Sequence, residues 1–366
     1  MKPIGLYVHI PFCVSKCSYC DFYSLASDHT KHKEYVGAVC ENIRLNGHRF
    51  KTVADTLYIG GGTPTVLDAE DLVKIVNQSQ ESFILEGAEI TVEANPADDL
   101  ADTFNYLRRA GVNRLSLGVQ SAVERELRIL SRRHTFEQVT LTVKSAAAAG
   151  FRNISVDIML GVPDQTLSSV AETVDKVLKL NPTHISAYML KLEENTPLYR
   201  NSQSFKFPDD NETAEMYLYV CARLKKEGYE HYEISNFARP GFHSRHNLKY
   251  WNCQEYIGIG PAAHSFINGR RYYYNRDIDE FIRNPILQDD GEGGSFEEYV
   301  MLQLRLSEGV KFSTLTERFG TECTQRVMKN AAALKESGLL KSDMDRVSLT
   351  QEGFLLSNSV ILQLLK

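Results

Sequence analysis

Three cysteines lie close together near the start of the chain, with the spacing C-x3-C-x2-C: Cys13, Cys17 and Cys20. Structural zinc sites favour a closed set of four ligands, and the sequence offers no obvious fourth ligand nearby. Three thiolates can instead hold three irons of a cubane [4Fe–4S] cluster and leave the fourth iron open for a substrate. A zinc knuckle or three unlinked buried thiols are the alternatives. The pattern therefore favours an iron–sulfur cluster with an open iron.

The elements that must position these cysteines are predicted from short apolar runs that alternate with helix-like stretches. The six runs are residues 4–10, 56–60, 89–94, 114–119, 154–160 and 184–190. Alternating strands and helices indicate a parallel sheet, and six such units predict an α/β fold with a partial (β/α)6 TIM-like barrel over residues 1–200. In barrels of this kind function lies where strands end and loops begin. The cysteines directly follow the first run.

The alternation of strands and helices ends after about residue 200. We predict an accessory α+β region over residues 201–290, and "QDDGEGG" (288–294) is typical of a linker. Residues 291–366 show three helices, a short hairpin and a closing helix, which predicts a winged-helix-like domain. Its basic residues are interspersed with acidic ones, so this domain is better suited to packing or dimer contact than to DNA binding.

The composition of the chain limits its possible binding partners and its cellular compartment. The chain has 366 residues, a formal net charge of −6 and a pI near 6.0, which argues against electrostatic binding of nucleic acid. No apolar run approaches the roughly 20 residues of a membrane helix. The first residues are too short and too strand-like for a signal peptide. Crowded cysteines without such a signal favour metal binding over disulfides, so we expect a cytoplasmic protein.

A glycine-rich motif and several polar residues also stand at or near the ends of other predicted strands, where apolar residues would pack. They are Gly61, Gly62 and Thr63 in "YIGGGTPT", Glu93 in "TVEANP", Gln120 in "SLGVQS", Arg132 on the helix that follows, and Asp157 in "SVDIML". Glycine backbone can approach a ligand closely. Carboxylates suit ribose hydroxyls or an ammonium group, and arginine suits a carboxylate. Each residue alone could be a structural hydrogen-bonding group, but together they indicate one site.

The cysteine motif after the first strand of a partial barrel resembles that of the radical S-adenosylmethionine superfamily. The segments "LYVHIPFC", "GGGTPT", "VEANP", "LGVQS" and "GVPDQT" together resemble the branch that contains oxygen-independent coproporphyrinogen III oxidase and the HemW-type heme chaperones. The resemblance implies that Cys13, Cys17 and Cys20 hold a [4Fe–4S] cluster. It also implies contacts with S-adenosylmethionine at Tyr7, Gly61, Gly62, Thr63, Glu93, Gln120, Arg132 and Asp157.

Two features separate the branches. The oxidase has a fourth cysteine two residues after the third, whereas this chain has Phe22, as the chaperone pattern does. The segment "HNLKYW" (246–251) resembles the heme-binding motif of the chaperones. His246 could ligate heme iron, and Tyr250 and Trp251 offer flat surfaces to a porphyrin. The alternative is a buried His–Asn pair beside an aromatic cluster, and His231 and His243 stay open as other ligands.

The resemblance therefore predicts a heme chaperone that carries a [4Fe–4S] cluster and S-adenosylmethionine, binds heme and transfers it to an acceptor protein, without conventional enzymatic turnover. The alternative is a coproporphyrinogen III oxidase of porphyrin biosynthesis, and a more distant one is a radical enzyme with another substrate. The sequence names no acceptor. It leaves open whether the chain forms a homodimer, whether it contacts a membrane transiently and whether heme transfer needs cleavage of S-adenosylmethionine.

Overall fold

The computed structural model describes residues 3–26, 29–96 and 100–366. The strands of the first half are β1 (Ile4–Ile10), β2 (Phe12–Cys13), β3 (Leu25–Ala26), β4 (Ala54–Gly61), β5 (Glu89–Ala94), β6 (Arg114–Gln120), β7 (Asn153–Leu160) and β8 (His184–Met189). The helices between them are α1 (His32–Phe50), α2 (Ala69–Ser82), α3 (Ala101–Arg109), α4 (Glu124–Ile129), α5 (Phe136–Ala148) and α6 (Leu167–Lys179). Strands β1, β4, β5, β6, β7 and β8 pair in that order, all parallel. This is the predicted six-stranded partial barrel.

The two faces of these strands differ in chemistry because side chains alternate along a strand. Leu6, Leu57 and Val92 belong to the buried apolar core. Residues one position on lie across the opposite face, where Tyr58 donates a hydrogen bond to Glu93 and the Tyr7 and Tyr58 rings are neighbours. Parallel strands are usually apolar on both faces. The polar inner face therefore marks the barrel interior as the place to look for a site.

The middle of the chain extends the same sheet at both edges. Its elements are α7 (Pro197–Arg200), α8 (Asp210–Lys226), β9 (Glu230–Glu233), β10 (Asn236–Ala238), α9 (Arg245–Trp251), β11 (Tyr256–Ile259), β12 (His264–Ile267), β13 (Arg270–Tyr274), α10 (Ile278–Arg283) and β14 (Leu287–Glu292). Strand β11 pairs parallel with β1, and β10 pairs antiparallel with β8. In the described part of the chain one sheet thus contains twelve strands. The sheet runs across the predicted boundary near residue 200.

The segment interpreted as a linker lies largely in a strand. Asp289 faces Tyr272 across the β13–β14 ladder, and its carboxylate accepts a hydrogen bond from the Arg270 guanidinium at 2.7 Å. The interpretation as a linker was therefore wrong. It rested on the Asp and Gly residues of the segment, which are poor strand formers in general. On an exposed edge strand, however, charged residues are favoured, since they discourage pairing with other chains.

The end of the chain has the predicted winged-helix-like pattern. It contains α11 (Phe296–Gln303), β15 (Val310–Lys311), α12 (Phe312–Leu334), β16 (Leu340–Ser342), β17 (Arg346–Leu349), α13 (Gln351–Leu355) and α14 (Ser357–Leu364). Gly320 has a φ of 87° and divides α12 into two helical parts, which supplies the extra helix of the pattern. The strands form a separate sheet in the order β15-β17-β16. Among the described residues, no helix is both long and apolar enough to span a membrane.

Candidate functional site

The three clustered cysteines lie on one loop beyond the carboxyl end of β1. Strand β2 pairs with β3, and the Leu25 amide donates to the Pro11 carbonyl at 2.7 Å, which closes the loop at its base. The Thr63 amide donates to the Phe12 carbonyl at 2.7 Å and so ties this loop to the end of β4. Cys13, Cys17 and Cys20 are free thiols, each partly buried. The loop is thus fixed at its ends while its sulfur atoms stay available.

Two neighbouring side chains point hydrogen-bond donors at these sulfur atoms. Arg132 places Nη1 3.5 Å from Cys17 Sγ, and the Thr63 hydroxyl lies 3.6 Å from Cys13 Sγ. Burial raises the pKa of Cys13 and raises that of Cys20 to about 11, and the charges of neighbouring thiols add to both shifts. Thiols with raised pKa values become thiolates when a metal centre compensates their charge. Within the described ranges, no three His, Cys, Asp or Glu side chains converge as the ligands of a single metal ion would.

The glycines at the end of β4 are required by close contacts. A Cβ atom at Gly62 would lie 2.6 Å from the Phe12 carbonyl oxygen and 3.1 Å from Cys13 Sγ. Gly61 has a φ of 111°, which side chains other than glycine rarely adopt. Its amide donates to Glu93 Oε2 at 3.0 Å. The glycines therefore let the β4 backbone meet both the cysteine loop and the acidic side chain of β5.

Glu93 and Asp157 lie on the inner face of the barrel. The Tyr58 hydroxyl donates to Glu93 Oε1 at 2.7 Å. Burial raises the pKa of Glu93, although the hydrogen bonds from Tyr58 and Gly61 oppose the shift. Burial likewise raises the pKa of Asp157, against the hydrogen bond from Ser186. Buried carboxylates of this kind gain from a cationic or hydroxyl-bearing ligand.

Tyr7 is held by His9. His9 Nε2 lies 2.8 Å from the Tyr23 carbonyl oxygen, which can only accept, so Nε2 carries the proton. Its Nδ1, 3.0 Å from the Tyr7 hydroxyl, therefore accepts from that hydroxyl. Burial lowers the pKa of His9 to about 4 and keeps this ring neutral. The Tyr7 ring is thereby fixed against the inner face of β1.

Gln120 and Arg132 complete the set at the end of β6. Gln120 has a φ of 66° and follows a register shift between β6 and β7, so the strand turns sharply at this residue. Arg132 donates to Asn95 Oδ1 at 2.6 Å and also to the Gly118 carbonyl. Its Nε is buried and has no partner among the described residues. An unpaired guanidinium donor beside a glycine-lined strand end fits a carboxylate ligand.

The residues present therefore fit a [4Fe–4S] cluster and S-adenosylmethionine. The donor set is three available thiols, with one cation and one hydroxyl directed at sulfur. The unpaired Arg132 Nε and the buried carboxylates suit the carboxylate and ammonium groups of an amino acid. Sequence reasoning missed Asn95, which joins Thr63 to Arg132. Its signal was position, because it directly follows β5 at the strand end that also carries Glu93.

The second predicted set, the candidate heme-binding residues, lies on α9. Unlike the cysteines, its histidine is fully enclosed. His246 is 1% exposed. Its Nδ1 is 2.8 Å from Thr56 Oγ1, and its Nε2 is 2.8 Å from the Tyr250 hydroxyl. Burial, aided by the charge of Lys249, lowers its pKa to about 3. Both ring nitrogens are therefore occupied in this conformation.

The neighbours of His246 also serve packing. The Tyr250 ring meets Tyr256 edge-on at 4.6 Å. Trp251 lies under the Arg305 guanidinium, 5.7 Å from its ring centre, and its buried Nε1 has no partner in the described part of the chain. His246 is thus buried beside an aromatic cluster, as in the alternative interpretation, but its ring partners are Thr56 and Tyr250 and not an asparagine. Heme contact by His246, Tyr250 and Trp251 stays a prediction.

His231 and His243, the two other candidate heme ligands, differ in accessibility. His231 stacks on Phe237 at 4.3 Å, and burial lowers its pKa to about 4. His243 is partly exposed, stacks on Tyr232 at 4.2 Å and has Nε2 2.8 Å from Glu230. His243 is thus the more open of the two to a large ligand.

Comparison with known proteins first defines the class. Residues 7–177 match the model described as Radical SAM superfamily, and residues 296–356 match the HemN C-terminal domain. The solved structure of coproporphyrinogen III oxidase (HemN) from Escherichia coli superposes with a TM-score of 0.85 at 23% identity, over 100% of this chain and 90% of that one. The chain is thus a radical S-adenosylmethionine protein in fold, as predicted, and a [4Fe–4S] cluster and S-adenosylmethionine are the cofactors of that class.

Full-length relatives then define the family. The heme chaperone HemW of Lactococcus lactis subsp. lactis (strain IL1403) is 34% identical over 98% of this chain and 96% of that protein. The Bacillus subtilis (strain 168) protein of the same name is 34% identical over 97% of each chain. That of Escherichia coli (strain K12) is 33% identical over 99% of this chain and 98% of that protein. The chain belongs to the HemW family.

Proposed function

We propose that this protein is a heme chaperone, which binds heme and transfers it to an acceptor heme protein. The observation that carries the proposal is the end of the cysteine loop, where Phe22 stands two residues after Cys20 and is 68% exposed. Full-length similarity to curated heme chaperones supports the same role. The proposal also includes a cytoplasmic location, and it does not name the acceptor protein.

Specific side chains would hold the two cofactors. Cys13, Cys17 and Cys20 would ligate the cluster, which supplies an open iron and an electron when bound. Arg132 Nε would pair with the carboxylate of S-adenosylmethionine, and Glu93 would accept from its ammonium or ribose groups. The remaining contacts are proposed at Tyr7, Gly61, Gly62, Thr63, Gln120 and Asp157. Their fixed positions at the strand ends support one shared site.

For heme we propose His246 as the iron ligand, with Tyr250 and Trp251 against the porphyrin. Because His246 is buried, its ring must move to reach heme, and it then leaves its hydrogen bonds to Thr56 and Tyr250. The neutral ring that burial maintains is the form that binds iron. Helix α9 is only seven residues long, so its displacement would disrupt few helical hydrogen bonds. Thr56 and Tyr250 would thus act as a latch on the ligand.

The latch can be tested by Thr56→Val, which removes one of its two hydrogen bonds and keeps the side-chain shape. We expect faster and tighter heme binding in the Soret titration. Thr91→Val is the matched control, because Thr91 is also fully buried on the neighbouring strand, beside Tyr58, and its hydroxyl has no partner among the described residues. If both variants bind heme as the wild type does, His246 is not released to act as the ligand.

The oxidase alternative has its own test. Reconstituted protein with reductant and S-adenosylmethionine should not convert coproporphyrinogen III to protoporphyrinogen IX, because Phe22 replaces the cysteine of the oxidase pattern. Transfer should instead appear as movement of the Soret band from this protein to an apo heme protein. Sustained decarboxylation, followed by porphyrin fluorescence after oxidation, would contradict the chaperone role as a full account.

A further inference from the structure

A continuous chain of polar contacts runs around two of the three cysteines. Arg132 Nη2 lies 2.6 Å from Asn95 Oδ1, Asn95 Nδ2 lies 2.8 Å from Thr63 Oγ1, and Thr63 Oγ1 lies 3.6 Å from Cys13 Sγ. Arg132 Nη1 also lies 3.5 Å from Cys17 Sγ. Asn95 therefore joins the donor facing Cys13 to the donor facing Cys17.

The direction of every hydrogen bond in this chain follows from the chemistry of its members. A guanidinium can only donate, so the atom of Asn95 that faces Arg132 is the carbonyl oxygen. The amide nitrogen of Asn95 must then face Thr63, and it donates to the Thr63 oxygen. This leaves the hydroxyl hydrogen of Thr63 to point at Cys13 Sγ. All donors thus run from the cation towards sulfur, and each bond polarises the next in the same sense.

The surrounding backbone is shaped to admit this chain. A Cβ atom at Gly118 would lie 2.9 Å from Arg132 Nη2 and 2.9 Å from Asn95 Oδ1, so only glycine leaves room for that contact. The Gly118 carbonyl accepts a further hydrogen bond from the same Arg132 nitrogen. The network therefore joins the segments that directly follow β4 and β5 to strand β6.

We infer that Asn95 is a positioning residue that sets the reduction potential of the cluster held by Cys13, Cys17 and Cys20. This inference rests on the proposed function, because it presumes that those thiolates hold the cluster. Hydrogen bonds to ligand sulfur and nearby positive charge stabilise the reduced, more negative form and so raise the potential. Asn95 would supply both effects, since it aims the Thr63 hydroxyl and fixes the Arg132 guanidinium.

The test is a redox titration of the reconstituted cluster, followed by electron paramagnetic resonance, in wild type and in Asn95→Leu. At a fixed potential the ratio of reduced to oxidised cluster should fall about tenfold in the variant, which for one electron is about 59 mV. Asn95→Asp should lower the potential further. Its carboxylate would accept from Thr63, turning that hydroxyl away from Cys13, and would add a negative charge beside the cluster.

Asn113→Leu is the matched control. Asn113 Nδ2 donates to the Ala88 carbonyl at 2.8 Å, and its Oδ1 accepts from the Ile90 amide at 2.9 Å, so this asparagine also makes two hydrogen bonds near β5. It precedes β6, at the opposite end of the strands from the cysteine loop. Its loss should lower the unfolding temperature and leave the potential unchanged. A shift of equal size in this control would mean that general loosening moves the potential, and would overturn the inference.

The outcomes separate the inference from the proposed function. If the wild type loads no cluster, the proposed cofactor site is wrong and the inference is overturned with it. If wild type and Asn95→Leu load clusters of equal potential, Asn95 does not tune the cluster, while the chaperone role is untouched. Should Asn95→Leu fail to load a cluster, Thr63→Val decides, because it keeps the Asn95–Arg132 contact and removes the donor to Cys13 together with the acceptor of Asn95 Nδ2. An unchanged potential in Thr63→Val also overturns the inference.

Discussion

The cysteine loop and helix α9 carry equally clear sequence motifs but are in different states. The loop thiols are partly buried, available and faced by donors from Arg132 and Thr63. His246 is enclosed, with a partner on each ring nitrogen. The proposed cluster site is thus arranged to receive its ligand directly, whereas the proposed heme site must change conformation first. A motif match therefore identifies residues but does not report whether they are ready to bind.

The largest expected effect lies in the cysteine loop. Cys17→Ala should prevent stable loading of the cluster, because two thiolates cannot hold three irons. It would also leave Arg132 Nη1 without its sulfur partner. Iron and sulfide analysis with visible absorption measures the loss. Cys40→Ala is the control, since Cys40 lies on α1 away from the loop. A full cluster in Cys17→Ala would contradict the ligand assignment.

The second expected effect separates the two regions. His246→Ala should weaken heme binding strongly and leave cluster loading intact, because His246 contacts Thr56 and Tyr250 but none of the cysteines. Two hydroxyls would lose a buried partner, so stability should fall by about 1–3 kcal/mol. Soret titration and cluster content should be measured on the same samples. Unchanged heme affinity would transfer the ligand assignment to the more open His243 and then to His231.

The part of the fold that local pattern determines was predictable. Apolar runs with strand spacing predicted the six parallel strands, and the spacing of Cys13, Cys17 and Cys20 made them candidate cluster ligands. The hydrogen bond between Thr56 and His246 was not predictable, because the two residues lie 190 positions apart in the sequence. Nor were the contacts of Asn95 predictable, because Arg132 reaches it from the segment after β6. Contacts between distant segments leave no periodic signal.

The pH dependence of stability probes the enclosed region. The pKa of His246 is about 3 in the folded protein, below its value near 6.5 in an unfolded chain. The part of the free energy of unfolding that depends on the neutral ring is therefore fully present above about pH 6.5. It is lost as pH falls towards 3, by up to about 1.4 kcal/mol per pH unit. His246→Gln lacks this titration. In urea unfolding, the difference in free energy of unfolding between wild type and His246→Gln should become smaller from pH 7 to pH 5. A constant difference would mean that the His246 ring is charged or solvated in the folded protein.

The smallest expected effect comes from Tyr250→Phe. This change removes the hydroxyl that faces His246 Nε2 and keeps the ring against Tyr256, so stability should fall by only about 1 kcal/mol. Because one nitrogen of His246 is then free, heme should associate somewhat faster than with the wild type. Stopped-flow measurement of the Soret change gives the rate, and Tyr256→Phe, whose hydroxyl accepts from Arg271 rather than facing His246, is the control. Slower association in Tyr250→Phe would mean that the hydroxyl assists heme binding, and the latch would then rest on Thr56 alone.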